Sequence, residues 1–389
     1  MIDFFSTLDG SLLPELLRYH EEAPMIFSSG LFFVLFILFL PIYGLLGLSK
    51  RTATLRIIYV VLFSLFFYYK SSGFYVLLLL LATTSDFLIA QALSHTPKGS
   101  PNRKRWVALS MIINLGILSY FKYFNFLADL VVQAITGIGG LMGMETASTL
   151  QWDPWDIFLP VGISFYTFQT MSYIADVYRS DIKPLKRWID YLFYVSFFPQ
   201  LVAGPIVRAK DFIPQIHRRP WVTRGEFGRG LFLILLGLFK KAVISDYISL
   251  NFVDRIFDAP TLYSGLENLM AVYGYALQIY CDFSGYSDMA IGIALFLGFR
   301  FNKNFDVPYT STNITEFCRR WHISLSTWLK DYLYIPLGGN RKGRIRTYIN
   351  LIITMLLGGL WHGAALRFIL WGGMHGIALA IHKVWCALL

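Results

Sequence analysis

Two histidines stand where water should be scarce. His362 closes the run Leu357-Gly-Gly-Leu-Trp-His362 and is followed by Gly363. It lies sixteen residues beyond Arg346, about 24 Å along a helix, which would carry the imidazole deep into a ~30 Å apolar core. Ionisable groups at such depth are costly, and they face a protein interior or a watery cavity. The ring either hydrogen-bonds two helices together or does chemistry, since a neutral imidazole with an unperturbed pKa of ~6.5 can take a proton from a hydroxyl. Gly358, Gly359 and Gly363 would let a substrate or another backbone approach closely, and the first two would also break the helix. His322, in Arg319-Arg-Trp-His-Ile-Ser-Leu-Ser-Thr-Trp328, would by itself be an interfacial residue. His375 and His382 are seven apart and share a helical face, so they read as packing or hydrogen-bonding groups. His20, His95 and His217 lie in polar contexts and read as solvated.

Carboxylates inside apolar runs are the second anomaly: Asp86, Asp176, Asp282 and Asp288. Asp282 and Asp288 are about 240° apart around a helix, too far to share a proton. They either line a polar cavity or tie helices together. Metal binding is not expected, because no His-x-x-x-His-like pair or cysteine-rich spacing is present. Cys281, Cys318 and Cys386 are odd in number and lack framework spacing, so all three read as packing residues.

The elements that must position these residues cross a membrane. Of 389 residues, 56% are apolar, 17% aromatic and only 15% charged, against about a quarter charged in soluble domains. Runs such as Leu31–Leu48, Ile57–Tyr69 and Trp106–Phe121 are of a length and composition to sit in a bilayer, which excludes a soluble globular protein. The net charge of +10 does not indicate nucleic-acid binding, for no recognition module accompanies it. The basic residues gather in short loops, among them Lys50-Arg51, Arg103-Lys104-Arg105 and Arg341–Arg346, as cytoplasmic loops do. The acidic start (Asp3, Asp9, Glu15, Glu21, Glu22) is unlike a cleavable leader and places the N-terminus outside the cytoplasm.

Helices are expected over about 29–48, 57–69, 73–93, 106–135, 156–177, 188–206, 229–250, 266–299, 346–357 and 362–386, in a single domain, 1–389. The Gly-rich stretch after Ile135, ending in Trp152-Asp-Pro-Trp155, reads as an extracytoplasmic loop, and 207–229 as a polar cytoplasmic segment. Two places depart from simple crossings. Pro199, Gly204 and Pro205 interrupt an apolar segment with basic flanks on both sides, which fits a re-entrant or strongly kinked element beside a cavity. Asn313-Ile-Thr-Glu316 starts a helix whose Phe317, Trp321, Leu325, Trp328, Leu329 and Tyr332 share one face. That amphipathic helix would lie along the membrane surface until Pro336 and Gly338-Gly339 stop it. The fold class is therefore all-α, a polytopic transmembrane bundle with re-entrant and interfacial helices around a central cavity or tunnel.

Several blocks resemble the membrane-bound O-acyltransferase superfamily, and within it the alginate O-acetylation branch. They are Tyr120-Phe-Lys-Tyr-Phe-Asn125, Leu159-Pro-Val-Gly-Ile-Ser-Phe-Tyr-Thr-Phe168, Phe198-Pro-Gln-Leu-Val-Ala-Gly-Pro205 and the stretch Tyr280 to Ala290. Three further blocks follow in register: Arg320-Trp-His-Ile-Ser-Leu-Ser-Thr-Trp328, Asp331-Tyr-Leu-Tyr-Ile-Pro-Leu-Gly-Gly-Asn-Arg-Lys-Gly343 and Gly358-Gly-Leu-Trp-His-Gly363. The D-alanyl transfer branch of teichoic acid synthesis shares the two histidine blocks. Relatives usually carry further apolar helices after the final His-Gly block.

The resemblance implies that His322 and His362 are the catalytic pair, with His362 as the base and His322 holding the thioester carbonyl or the developing oxyanion. Substrate contacts are expected from Trp321, Ser324, Trp361, Asp282, Asp288 and Arg320. It implies no bound cofactor, acetyl-CoA or another acyl thioester as cosubstrate, and an exported polysaccharide as acceptor, reached directly or through a periplasmic acyltransferase partner. The bacterial cytoplasmic (inner) membrane is the expected location, with several passes through the bilayer. A transporter or flippase, or a non-catalytic scaffold of a polysaccharide export complex, is the alternative; a transporter would show inverted repeats, and no clear repeat is present.

Overall fold

The computed structural model describes residues 18–21, 24–141 and 150–388. Most of the acidic N-terminal segment, and residues 142–149 of the expected outer loop, lie outside the described residues. Among those described the chain is helical and has no strand.

The first helices are α1 (Gly30–Gly47), α2 (Ala53–Ser72), α3 (Val76–His95) and α4 (Pro101–Leu118). The last runs through a π-helical turn, Ser119–Tyr123, into α5 (Phe124–Leu141), so helix continues where a loop was expected from Ile135. Among the described residues three stretches are long and apolar enough to cross a bilayer: Gly30–Gly47, Ala53–His95 and Pro101–Gly139. Leu38, Leu45, Leu81 and Ile112 on these helices point outward, as a lipid-facing surface requires. Inward they are tied by polar bonds. Asp86 on α3 accepts from Ser110 Oγ at 2.6 Å and Asn114 Nδ2 at 2.8 Å on α4. Asn114 Oδ1 in turn accepts from Thr170 Oγ1 at 3.0 Å on α6 (Ile163–Arg179). A buried carboxylate satisfied in this way tells a helix pair how to register.

α6 begins later than expected, after Pro160 and Gly162, the latter at φ 77°. The expected 188–206 element is two short helices, α7 (Trp188–Ser196) and α8 (Phe198–Leu201), followed by a turn. The interruption falls where the prolines demand it, and it is enclosed by protein: Phe197, Phe198, Pro199, Gln200 and Leu201 are all buried. Phe198 N–H donates to Ser64 Oγ at 3.1 Å, and its ring packs against Phe39 and Phe63. The polar segment after it is not plain loop. It contains α9 (Ala209–Ile216), because Ala209, Phe212 and Ile216 form a helical stripe that is buried.

α10 (Arg224–Leu238) and α11 (Gly265–Phe296) start in reciprocal capping boxes, Thr223 with Glu226 and Ser264 with Glu267. They meet backbone to backbone: a Cβ on Gly237 would lie 2.4 Å from Gly285 O.

The C-terminal elements are α12 (Ile314–Arg320), α13 (Ile323–Leu329), a π-helical turn at Lys330–Tyr334, α14 (Arg344–His362) and α15 (Leu366–Leu388). The cap at Asn313 is as expected, with Oδ1 accepting from Glu316 N–H at 2.9 Å. The single amphipathic helix is not. It breaks at His322, a left-handed residue with φ 44° and ψ 58°. Asn304 is the reason: its backbone carbonyl takes the Ile323 N–H at 2.8 Å and its Oδ1 takes the Ser324 N–H at 3.1 Å. Two donors that a continuous helix would use internally are thus satisfied from outside it. The second correction concerns Gly358 and Gly359, which do not break their helix. α14 continues to His362, and its glycines give α15 a place to pack: a Cβ on Gly359 would lie 2.2 Å from Phe368 O and 3.0 Å from Gly372 Cα.

Candidate active site

A cavity of about 490 Å³ opens between α12, α13, α14 and α15. His322 and His362 both line it, with Trp321, Leu325, Gly359, Trp371 and His375 among the other walls. The two rings differ in access. His322 is 1% exposed, whereas His362, at the last position of its helix, is exposed and therefore reachable. Trp361 stands between them, its ring 5.9 Å from that of His322 and 5.1 Å from that of His362. Phe165 and Phe168 of α6 pack on Trp361 at 5.3 and 5.5 Å, and Phe168 stacks on Trp328 at 3.9 Å. Behind the two histidines this aromatic cluster holds α6, α13 and α14 together.

His322 Nδ1 is 3.2 Å from Asn304 Oδ1, and its Nε2 is buried without a partner. Ser324, expected to touch substrate, lies behind the ring: its Oγ is 2.9 Å from Asn304 Oδ1 and accepts from Ile206 N–H at 3.0 Å. No hydrogen bond fixes the His362 ring among the described residues; Trp361 and Trp371 pack edge-on against it, each at 5.1 Å.

The backbone that carries His362 is fixed from the first half of the chain. Lys122 Nζ donates to the Trp361 carbonyl and to Ser164 Oγ, the latter at 3.2 Å. Tyr123 OH donates to the Leu360 carbonyl at 2.9 Å. Terminal helix carbonyls have no partner within their own helix, and the π-helical turn at Ser119–Tyr123 aims both side chains at them. The matched block Tyr120–Asn125 thereby gains a task that sequence reading left open. A second cavity, of about 550 Å³, meets this same helix end at Ala364, Ala365 and Leu366 and is walled by Lys122, Asn125 and Trp152.

Not every expected residue is here. Trp321 lines the cavity, whereas Trp361 is buried behind it between the two histidines, and Asp282 and Asp288 line none of it. Each pairs with a lysine of the π-helical turn Phe239–Ser245: Lys241 with Asp282 at 2.6 Å and Lys240 with Asp288 at 2.6 Å. They tie helices together. Arg320 pairs with Glu316 at 2.5 Å, one turn back along α12, while Arg319 reaches the cavity wall. His375 and His382, expected to pack or hydrogen-bond, also line the cavity, and His382 does hydrogen-bond, with Nδ1 2.8 Å from Thr315 Oγ1. Cys318 and Cys386 line it too; Cys386 is exposed, so only Cys281 is a buried packing residue. No group of three or more His, Cys, Asp or Glu among the described residues is arranged to hold a metal ion.

Residues 186–389 match the family model described as MBOAT, membrane-bound O-acyltransferase family, and this chain belongs to that family. Among its relatives, the probable alginate O-acetylase AlgI of Pseudomonas syringae pv. tomato is 42% identical over 360 residues, covering 92% of this chain and 66% of the relative. The peptidoglycan O-acetyltransferase of Helicobacter pylori is 36% identical over 395 residues, covering 93% and 71%. The teichoic acid D-alanyltransferase of Bacillus subtilis is 30% identical over 237 residues, covering 57% and 58%. The chain spans about two thirds of the length of the alginate O-acetylase relative.

Proposed function

We propose that this protein is an O-acyltransferase of the bacterial cytoplasmic membrane. It moves an acyl group, acetyl by preference, from a cytosolic thioester such as acetyl-CoA to a hydroxyl destined for an exported polysaccharide. The observation that carries this reading is the joint presence of His322 and His362 on one cavity, with the His362 ring open to it. Acyl transfer from a thioester needs a proton acceptor for the attacking hydroxyl and a donor for the oxyanion that forms. Two imidazoles beside one apolar space supply both. The second cavity at the same helix end supports a path for the acceptor from the side of the 150–156 loop, and the acyl group passes either to polymer or to a periplasmic transferase. Acetyl is favoured because two of the relatives are named for O-acetyl transfer. A membrane helical protein that transports or scaffolds would tolerate loss of both rings.

The test uses purified protein in proteoliposomes, radiolabelled acetyl-CoA on the cytosolic side, and soluble polysaccharide with or without a periplasmic acyltransferase. Label should reach the hydroxyl acceptor with wild type and not with His362→Ala, at equal protein abundance. Normal labelling by His362→Ala would remove this reading.

A further inference from the structure

We infer that Asn304 is a positioning residue that holds neutral His322 in its Nδ1–H form, so that Nε2 is the lone pair offered to the reacting hydroxyl. The hydroxyl rests on the function proposed above; the tautomer does not.

The argument begins with an obligate donor. The backbone N–H of Ser324 points at one end of the Asn304 amide, at 3.1 Å. A backbone N–H can only donate, so that end must be the oxygen, and the usual ambiguity in amide orientation disappears. The other end agrees, since Nδ2 donates to Ser287 Oγ at 3.0 Å. His322 Nδ1 lies 3.2 Å from the same Oδ1. An amide oxygen only accepts, so Nδ1 carries the hydrogen. Ser324 Oγ lies 3.4 Å from Nδ1 but 2.9 Å from Oδ1, and its one hydrogen goes to the nearer oxygen, which leaves the Nδ1–Oδ1 contact to the imidazole N–H. Asn304 is itself 1% exposed, and the left-handed backbone of His322 brings the ring to it. The two halves of the arrangement are one device: the break in the amphipathic helix and the fixed ring both depend on Asn304.

A neutral imidazole carries one N–H, so Nε2 is bare. It is buried, it has no partner, and Phe283 flanks its ring at 4.6 Å. Burial of an acceptor without a donor is destabilising, and such a group in a folded protein calls for an explanation. A hydroxyl brought by a reactant is one that fits. Neutral His322 then cannot donate to an oxyanion through Nε2, which reverses the division of labour expected from sequence. His322 takes the hydroxyl proton as the O–C bond forms; the C–S bond breaks, and the proton passes to the departing thiolate. Ester and thiol are the products, with no net change in charge or oxidation state. His362, whose ring no hydrogen bond fixes, is left to donate to the oxyanion.

The experiment is nitrogen NMR of selectively 15N-histidine-labelled protein in lipid at neutral pH, with His322→Gln for assignment. Wild type should show His322 with a protonated Nδ1 and an imine-type Nε2. Asn304→Ala, and Ser287→Ala as a milder change should the first not fold, should convert that signal to a mixture of tautomers. A protonated Nε2 in wild type, or a tautomer unmoved in a folded Asn304→Ala protein, overturns the inference. In the acetyl-transfer assay, Asn304→Ala should lower kcat about tenfold or more with KM nearly unchanged, as lost orientation of a catalytic ring does. Asn304→Asp, which keeps the acceptor, should restore part of it. If wild type transfers no acyl group, the proposed function fails while the spectrum still decides the tautomer.

Discussion

A single methyl group at Gly359 should force apart the two helices that frame His362. Gly359 is three residues before the imidazole, and its ideal Cβ would stand 2.2 Å from the Phe368 carbonyl oxygen, where ordinary contact begins at 3.4 Å. The shortfall is 3.4 − 2.2 = 1.2 Å, and the obstacle is backbone, so no side-chain rotation relieves it. Overpacking of this kind costs about 1–3 kcal/mol. The better helix propensity of alanine offsets about 1 kcal/mol of this, which leaves a net loss of about 0–2 kcal/mol. Activity should suffer more than stability, because a displacement of about 1 Å at a catalytic group can cost on the order of 10²-fold in rate. The comparison variant is Gly373→Ala, whose Cβ would meet only the tip of Leu356 at 3.2 Å, an obstacle that can rotate away. Thermal unfolding of the detergent-purified variants, followed by initial acetyl-transfer rates at matched abundance, separates the two. Wild-type stability and rate in Gly359→Ala would refute the close α14–α15 contact and the positioning argument built on it.

Other outcomes follow from the same structure. Lys122→Met should release the Trp361 carbonyl at the end of α14, losing about 1–3 kcal/mol and most of the transfer rate, read by unfolding and turnover together. Asp288→Asn should destabilise the protein by about 1–3 kcal/mol through the half-buried Lys240 it leaves unpaired, with KM for the thioester unchanged. A raised KM would return Asp288 to the substrate site. Maleimide labelling of the folded protein, followed by mass spectrometry, should modify Cys386 first, Cys318 more slowly and Cys281 only on unfolding, in the order of their exposure. Glu316, which accepts from the Thr312 backbone N–H and its hydroxyl and pairs with Arg320, is held below the usual carboxylate range. Its contribution to the start of α12 is therefore present above the ordinary Glu value of ~4.3 and fades only as pH falls through the lowered one. Carboxylate-selective NMR titration reads this directly, and an ordinary or raised midpoint would contradict the cap.

Elements whose signals are local were legible in the sequence. The apolar run of α1 fixes it to within a residue of the expected bounds, and the prolines place the break between α7 and α8 within a buried segment. The parts that were not legible depend on partners far away in the chain. Nothing in Arg319–Trp328 announces a left-handed histidine; Asn304, eighteen residues earlier, creates it by taking two backbone donors. Asp282 and Asp288 look like cavity residues until Lys240 and Lys241, more than forty residues before them, arrive beside them. Gly358-Gly359 carries the local signal of a helix end, and tertiary packing of α15 against it overrides that signal. His375 and His382 share a face by spacing, but only the fold says that this face looks onto the same cavity as His362.

The central claim is that His322 and His362 act on one reaction in one cavity. The direct measurement is a double-mutant cycle on the initial acetyl-transfer rate, with His322→Ala, His362→Ala and the double variant in the same lipid and at the same abundance. Residues that work as a unit are strongly non-additive: each single variant should lose about 10²-fold or more, and the double should be no slower than the worse single. A double variant whose loss is the product of the two, or either single variant turning over at the wild-type rate, would contradict the account.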